Sequence, residues 1–528
     1  MYRVLVTDRL AEEGLEILRA QTSIEVEVAT GLSEEELIGR IGDYDALLIR
    51  SGTQVTAPVL EAGRPRLKVV GRAGIGVDNV DLEAATELGV IVMNTPDANA
   101  VTTAELALAH LFSVSRHLPQ ADRSVREGRW ERGRFMGNEI SGKTLGVVGF
   151  GTIGRIVAER ALGLKMEVLA HDPFVTAEVF ERHGVRGAGL DELFTAADYV
   201  TLHTPLNDHT RELVNAERLA LMKPGAFLIN CARGGLVDDQ ALAEALREGR
   251  LAGAALDVFQ NEPPTGSPLL ELENCLFTPH LGASTREAQV AVSVNLARQV
   301  ATFLESGEAV NALNLPRLSA DELRRMRPWL DLAGALGRLL AHLSPAPLQQ
   351  LEVTACGQAA ELDLGALSAE ALVGLLGEAL SIPVNRVNVT RLARRQGIAV
   401  TEARSEDSPD YHGLLRLEGR AGEHSVAVAG TLLGGAHPRL VAIDDYEVEA
   451  VPEGCLLITR HEDRPGVVAA LGTLLGEARI NISRMQVGTA EGREEAIALI
   501  GISRPLEAQE LEQVAAIPAV HTACQVEL

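Results

Sequence analysis

No two cysteines stand in a CxxC arrangement, and the five present (Cys231, Cys275, Cys356, Cys455, Cys524) are scattered and odd in number. Without Cys or His clusters of ligand spacing, neither a disulfide framework nor a structural metal site is expected, and each thiol reads as a small buried hydrophobe. The chain also lacks any run of 18 apolar residues free of charge or turn signals, and residues 1–20 hold no basic stretch leading into an apolar one. Neither a membrane-spanning helix nor a secretory leader is therefore expected, and the expected location is cytoplasmic. Positive charge is scarce: 48 Lys and Arg face 73 Asp and Glu, a formal net charge of -25. Such a surface opposes nucleic acid and anionic membranes, which need a basic face, yet a few gathered arginines would still take a small anionic substrate. Only four lysines occur (Lys68, Lys143, Lys165, Lys223), which genome base composition explains as well as function does. Short-period repeats and low-complexity tracts are absent.

What is present is a chain of 528 residues, 46% hydrophobic and 23% charged, too long for one core and well able to bury several. From Tyr2 to Asn94, β-branched runs such as "YRVLVTD", "YDALLIR" and "VIVMN" alternate with amphipathic stretches. That rhythm predicts a parallel sheet with crossover helices. A helix follows at "LALAHLFSVSRHL", with Thr102 and Glu105 spaced as a capping box. A second strand-helix series runs to "CLFTPH", then comes a long helix from about Thr285 to Leu304 and "NALNLP", which returns to the first unit. The expected domains are 1–98 with 284–315, 99–283, 317–450 and 454–528. The first two read as doubly wound α/β units whose cleft can hinge. The third reads as mixed α+β, and the last follows the β-α-β-β-α-β order of ferredoxin-like modules.

Two glycine clusters compete for a phosphate-binding role. Gly71, Gly74 and Gly76 follow a strand but are spaced GxxGxG, without a glycine where helix and strand must pack. Gly149, Gly151 and Gly154 in "TLGVVGFGTIGR" give GxGxxG between a strand and a helix. The first allows the tight turn, the second lets a pyrophosphate approach the backbone, and the third lets helix and strand touch. Eighteen residues beyond Gly154, the strand "MEVLAH" ends in Asp172. A carboxylate there accepts the ribose hydroxyls of NAD and repels the 2′-phosphate of NADP. Tight packing without a ligand is the plainer alternative.

Hydride chemistry on a hydroxy acid needs a cation for the carboxylate and an acid/base for the hydroxyl proton. Arg233, Glu262 and His280 stand at or near three later strand ends, where the crevice of such a sheet lies. In these roles His280 exchanges the proton, Glu262 orients the imidazole, and Arg233 binds carboxylate and polarises the keto oxygen. Spacing alone leaves plainer readings open: a loop histidine beside Pro279, a turn at Pro263 and Pro264, and a helix cap before Gly234.

At this point "CARGGLVDDQAL", "ALDVFQNEPP" and "TPHLGAST" resemble the signatures of the D-2-hydroxyacid dehydrogenase family. "RSGTQV", "GRAGIGVDNVD" and "WERGRFMGNEISGKTLGVVGFGTIGR" resemble its phosphoglycerate dehydrogenase branch, and the likeness covers essentially the whole chain. The resemblance implies NAD-dependent oxidation of 3-phospho-D-glycerate to 3-phosphohydroxypyruvate, the first step of L-serine biosynthesis. It places Arg233, Glu262 and His280 on catalytic positions. Gly149, Gly151, Thr152, Ile153, Gly154 and Asp172 match the cofactor fingerprint, and Thr204, Cys231, Asp257, His280, Gly282 and Ala283 match further NAD contacts. Ser51, Gly52, Arg72, Gly74 and Asn99 match substrate-side segments, while Arg132 resembles a phosphate-binding arginine reached from a second copy. A homo-oligomer, dimer or tetramer, is thereby implied. Residues 317–450 resemble the intervening domain of the long enzymes, and 454–528 an ACT domain, which in related enzymes binds serine between two subunits. His461 and Asn481 fall on matching positions, whereas Asp463 stands where serine-responsive relatives carry asparagine. Two other readings stay open: another dehydrogenase of the family acting on lactate, glyoxylate or hydroxypyruvate, and a non-catalytic NAD-sensing scaffold.

Overall fold

The computed structural model describes residues 1–96, 98–315, 320–380, 382–408, 410–490 and 492–528, and within them the chain builds four sheets. The junction 316–319, where the sequence reading starts its third unit, lies outside them. The first sheet holds β1 (Tyr2–Val6), β2 (Ile24–Val28), β3 (Ala46–Ile49), β4 (Val69–Arg72) and β5 (Ile91–Met93), in the order β2-β1-β3-β4-β5 and parallel throughout. Every residue of β3 and β5 is buried, as a sheet covered on both faces requires.

The second sheet holds β6 (Thr144–Val148), β7 (Glu167–His171), β8 (Arg186–Gly187), β9 (Tyr199–Leu202), β10 (Ala226–Asn230), β11 (Leu251–Leu256) and β12 (Cys275–Phe277). Its order, β12-β11-β10-β9-β6-β7-β8, reverses between β6 and β9. A crevice opens at such a switch, outside the carboxyl ends of the strands.

The chain passes between these sheets before Ala100 and again after Ala283. The helix Arg286–Ser306 leaves the second sheet and buries Val292, Leu296 and Val300 in the core of the first. Ala312 then bridges Met93, and the Leu313 N–H donates to the Val92 carbonyl at 2.8 Å. The helix after β5 departs from the sequence expectation, starting at Ala100 behind Asn99 rather than at a Thr102/Glu105 box. Tertiary partners take both side chains: Thr102 meets the Thr285 hydroxyl at 3.2 Å, and Glu105 accepts from Arg160 at 2.9 Å.

The third sheet holds β13 (Gln350–Gly357), β14 (Ala399–Ser405), β15 (Gly413–Ala421), β16 (His424–Leu433), β17 (His437–Ile443) and β18 (Tyr446–Ala450), mixed and ordered β14-β13-β15-β16-β17-β18. The helices Ala320–Leu343 and Leu364–Leu376 contribute to its core. This unit docks on the first through Asn385, whose Nδ2 donates to the Gly89 carbonyl at 2.7 Å, and through Arg395, 2.7 Å from Glu87. Val387 inserts into the core of the first sheet.

The fourth sheet holds β19 (Cys455–Glu462), β20 (Ile482–Thr489), β21 (Glu495–Ile502) and β22 (Val520–Glu527), antiparallel and ordered β20-β21-β19-β22. With the helices Val467–Glu477 and Ala508–Ala515 it is the ferredoxin-like fold. Strand alternation divides its apolar residues: Leu457, Ala498 and Ile500 pack under the helices, while Leu456, Ile458 and Leu499 join the core of the third unit. Among the described residues no helix is long and apolar enough to cross a membrane.

Candidate active site

A cleft of about 660 Å³ lies between the first two sheets. Ser51, Arg72 and Asn99 line it from one side; Gly151, Thr152, Ile153, Thr204, Cys231, Arg233, His280, Gly282 and Ala283 line it from the other. A second space of about 510 Å³ adjoins it, lined by Glu262 and sharing Ser51, Arg72, Arg233 and His280.

The three glycines of the fingerprint stand in three different situations. Gly149 turns the chain at φ +92°, and a β-carbon there would come 2.5 Å from the His203 carbonyl oxygen. A β-carbon on Gly154 would overlap the Gly149 carbonyl, so helix Thr152–Gly163 lies directly on the turn. Around Gly151 there is nothing within 4 Å, and its bare backbone faces the cleft. Packing therefore accounts for two glycines, while the third, at the N-cap of the helix, leaves room for a ligand to approach the backbone. Asp172 ends β7, where its carboxylate accepts the Phe150 and Phe174 N–H groups at 2.9 and 3.0 Å and lines a separate cavity of about 440 Å³. The Asn99 Oδ1 and His203 Nδ1 atoms, from two residues that line the cleft, are buried without partners.

His280 sits in the left-handed region at φ +54°, and its Nδ1 lies 2.7 Å from Glu262 Oε2. Burial pushes the Glu262 carboxyl up, but the hydrogen bond and charge of His280, the Phe259 N–H and Arg233 outweigh it and hold the group below its ordinary value. Glu262 is thus an ionised acceptor at neutral pH, which fixes the proton on Nδ1 and turns the Nε2 lone pair outward. The pair's loop is anchored from beneath by Asp257, fully buried, which accepts from the Leu281 and Gly282 N–H groups at 2.7 and 2.8 Å and from the Thr278 hydroxyl at 2.5 Å. Thr278 Oγ1 in turn lies 3.1 Å from His110 Nε2, and His110 Nδ1 lies 3.5 Å from Cys231 Sγ. Burial lowers His110 and raises Cys231 well above the ordinary thiol range, so both are neutral and the donors run in order from thiol to carboxylate.

Three guanidinium groups gather here. Arg233 donates through Nε to Asp78 at 2.7 Å. Arg72 is pushed down to about 10, first by burial and then by Arg233, and stays charged at neutral pH. Arg50, which the sequence reading missed, also lines the cleft, and the Nε atoms of Arg50 and Arg72 are buried without partners. Asp8 accepts from the Arg50 and Thr53 N–H groups at 2.6 and 3.1 Å, which folds the Ser51–Gly52 turn around it. Arg50 follows β3 directly, so the strand-end argument that selected Arg233 applies to it equally. Gly52 and Gly74 lie behind the cleft wall, where β-carbons would press on Asp8 and Arg72. Asp257 points into the loop rather than into the cleft, and Arg132 is not among the residues that line it; its guanidinium lies 5.5 Å from the Trp130 ring.

His461 and Asp463 lie at the carboxyl end of β19, level with Glu495, whereas Asn481 precedes β20, which pairs with the opposite end of β21 near Ile502. A single copy does not bring the three together.

The model of the D-isomer specific 2-hydroxyacid dehydrogenase NAD binding domain matches residues 108–282, that of the D-3-phosphoglycerate dehydrogenase intervening domain 325–444, and that of the ACT domain 456–519. A D-3-phosphoglycerate dehydrogenase from Synechocystis sp. is 42% identical, over 100% of this chain and 95% of its own length. The chain belongs to the D-3-phosphoglycerate dehydrogenase family. A second member, from Methanocaldococcus jannaschii, is 40% identical over the whole of both chains. Among solved structures, the TT0316 protein of Thermus thermophilus is 40% identical with a TM-score of 0.55, covering 59% of this chain and 99% of its own. A D-lactate dehydrogenase from Aquifex aeolicus complexed with NAD and lactic acid covers 60% of this chain and 100% of its own, at 27% identity and a TM-score of 0.54. The chain is an NAD-dependent dehydrogenase, and the fingerprint is its NAD domain's.

Proposed function

We propose that the chain oxidises 3-phospho-D-glycerate to 3-phosphohydroxypyruvate with NAD, opening L-serine biosynthesis. The observation that carries the reading is the His280–Glu262 pair at 2.7 Å facing Arg233 in a cleft that also holds Arg50 and Arg72. A substrate with an anion at each end needs cations at two places. Arg233 takes the carboxylate beside the reacting carbon, and Arg50 and Arg72, with Arg132 from a second copy, take the phosphate. Ser51, Gly52, Gly74 and Asn99 shape that end.

His280 Nε2 receives the hydroxyl proton, and Glu262 keeps Nδ1–H in place and stabilises the imidazolium that results. Arg233 polarises the developing keto oxygen. NAD, when bound, supplies the hydride acceptor; Gly149, Gly151, Thr152, Ile153 and Gly154 would hold its pyrophosphate, Asp172 its ribose, and Thr204, Cys231, Gly282 and Ala283 its nicotinamide side. Asp257 contributes by fixing the 278–282 loop.

Oligomerisation belongs to the reading. Val125, Trp130 and Met136 are 56%, 73% and 82% exposed on the segment that carries Arg132, an apolar surface suited to a second copy. We read the ACT unit as an L-serine sensor with its site between two copies, His461 and Asp463 from one and Asn481 from the other. We place the chain in the cytoplasm.

The test is NADH formation at mildly alkaline pH with 3-phospho-D-glycerate, D-glycerate, D-lactate and D-2-hydroxyglutarate, with His280→Ala as control. Preference for the phosphorylated acid, lost in the variant, supports the reading; preference for another acid moves the substrate, and no turnover leaves a sensor. A flat response to millimolar L-serine removes the effector.

A further inference from the structure

Arg233 and Asp78 are 155 residues apart and come from opposite walls of the cleft, yet Nε and Oδ2 meet at 2.7 Å. The guanidinium is closely confined. Its Nη1 donates to the Ala232 carbonyl at 2.6 Å, and Nη2 passes so near Gly76 that a β-carbon there would overlap it. The same β-carbon would stand 2.9 Å from Asp78 Oδ2, so Gly76 leaves the space in which both groups sit. Nη2 has no hydrogen-bond partner among the described residues.

We propose that Asp78 is a positioning residue for the reaction: a carboxylate on the loop after β4 that holds Arg233 by Nε across the cleft and leaves its Nη2 edge for the substrate carboxylate. An exposed ion pair between two long, mobile side chains contributes little. Here Asp78 is 60% exposed and Arg233 26%, so the weight of the pair lies in the geometry it imposes on a guanidinium confined by Gly76 and the Ala232 carbonyl rather than in stability. The contact spans the cleft, so the aim of the guanidinium is tied to the relative placement of the two walls. A displacement of about 1 Å in such a group costs on the order of a hundredfold in rate. The carboxylate also offsets the repulsion that Arg233 exerts on Arg72.

The inference deepens the dehydrogenase reading and rests on it. Asp78→Ala and Asp78→Asn are made in the full chain and assayed with 3-phospho-D-glycerate, with NAD binding measured separately by calorimetry. Alanine should lower kcat tenfold or more with the NAD dissociation constant within twofold of wild type. Asparagine, which keeps an acceptor for Nε, should recover activity to within threefold. Wild-type kcat in the alanine variant overturns the proposal. So does equal impairment of both variants, or loss of NAD binding together with kcat. The two readings fail separately: if wild type oxidises no 2-hydroxy acid, oxalate binding in the presence of NADH, followed by NADH fluorescence, still tests the pair, since a bare dicarboxylate needs only the aimed arginine. Tenfold weaker oxalate binding in Asp78→Ala keeps the proposal, and unchanged binding overturns it.

Discussion

Two glycines of one fingerprint should respond in opposite ways to the same added methyl group. In Gly154→Ala the β-carbon overlaps the Gly149 carbonyl oxygen and lies 3.1 Å from the carbonyl carbon and 3.2 Å from Val147 Cγ1. Relief requires the helix Thr152–Gly163 to lift off the turn, and overpacking of this kind costs about 1–3 kcal/mol. For a domain of this size each kcal/mol lowers Tm by roughly 2–4 °C, so a drop of several degrees is expected in the NAD domain's transition. Gly151→Ala adds its methyl to open space at φ -75°, a conformation alanine adopts freely. Its stability cost is that of alanine at a helix N-cap, on the order of half a kcal/mol. The methyl instead occupies the path of the pyrophosphate. Losing one or two charge-assisted contacts there, at about 1.5–3 kcal/mol each, weakens NAD roughly a hundredfold. Calorimetric melting without ligand and NAD titration of both variants separate the effects. Equal melting losses, or wild-type NAD affinity in Gly151→Ala, would refute the assignment of one glycine to the fold and the other to the cofactor.

Gly76→Ala should displace Arg233 and reduce kcat/KM for the acid by at least tenfold while NAD affinity is kept; a silent variant would mean that Arg233 has another resting place. His203 is lowered to about 4 by burial, so the unfolded chain binds its proton first. Stability is fully present above about pH 6.5 and is lost as pH falls toward 4, by about 3 kcal/mol in all. Urea unfolding should show a shallower loss between pH 7 and 5 in His203→Gln than in wild type; equal slopes would remove the argument. Gly89→Ala, at φ +74° with its β-carbon 2.7 Å from Asn385 Nδ2, should loosen the third unit from the first and raise proteolysis between them. Unchanged proteolysis would show that Arg391 and Arg395 against Glu83 and Glu87 suffice.

Much of this protein is written locally. Periodicity marks the two parallel sheets because their inner strands, such as β3 and β10, are buried at every position, and β-α-β-β-α-β order marks the last unit because its elements are short and sharply bounded. The glycine spacing and Asp172 are legible because a phosphate cradle is built from one continuous strand, turn and helix. Arg233, Glu262 and His280 stand out by their places near strand ends, where the crevice of a doubly wound sheet must lie. Other features have no local signature. The capping box at Thr102 is a sound local motif that fails because Thr285 and Arg160 offer better partners. Asp78 looks like one acidic residue among many until the fold brings it to Arg233, and Gly76 looks like a stray glycine until that guanidinium passes beside it. His110, in an apolar helix, becomes part of the site only through Thr278 and Asp257, which belong to the other end of the domain. Sequence by itself determined the elements and the glycine fingerprint and singled out the candidates for the reacting groups, because each is marked by residues close to it in the chain. Tertiary structure alone decided how those groups are held, because orientation depends on contacts between walls of the cleft that are more than a hundred residues apart.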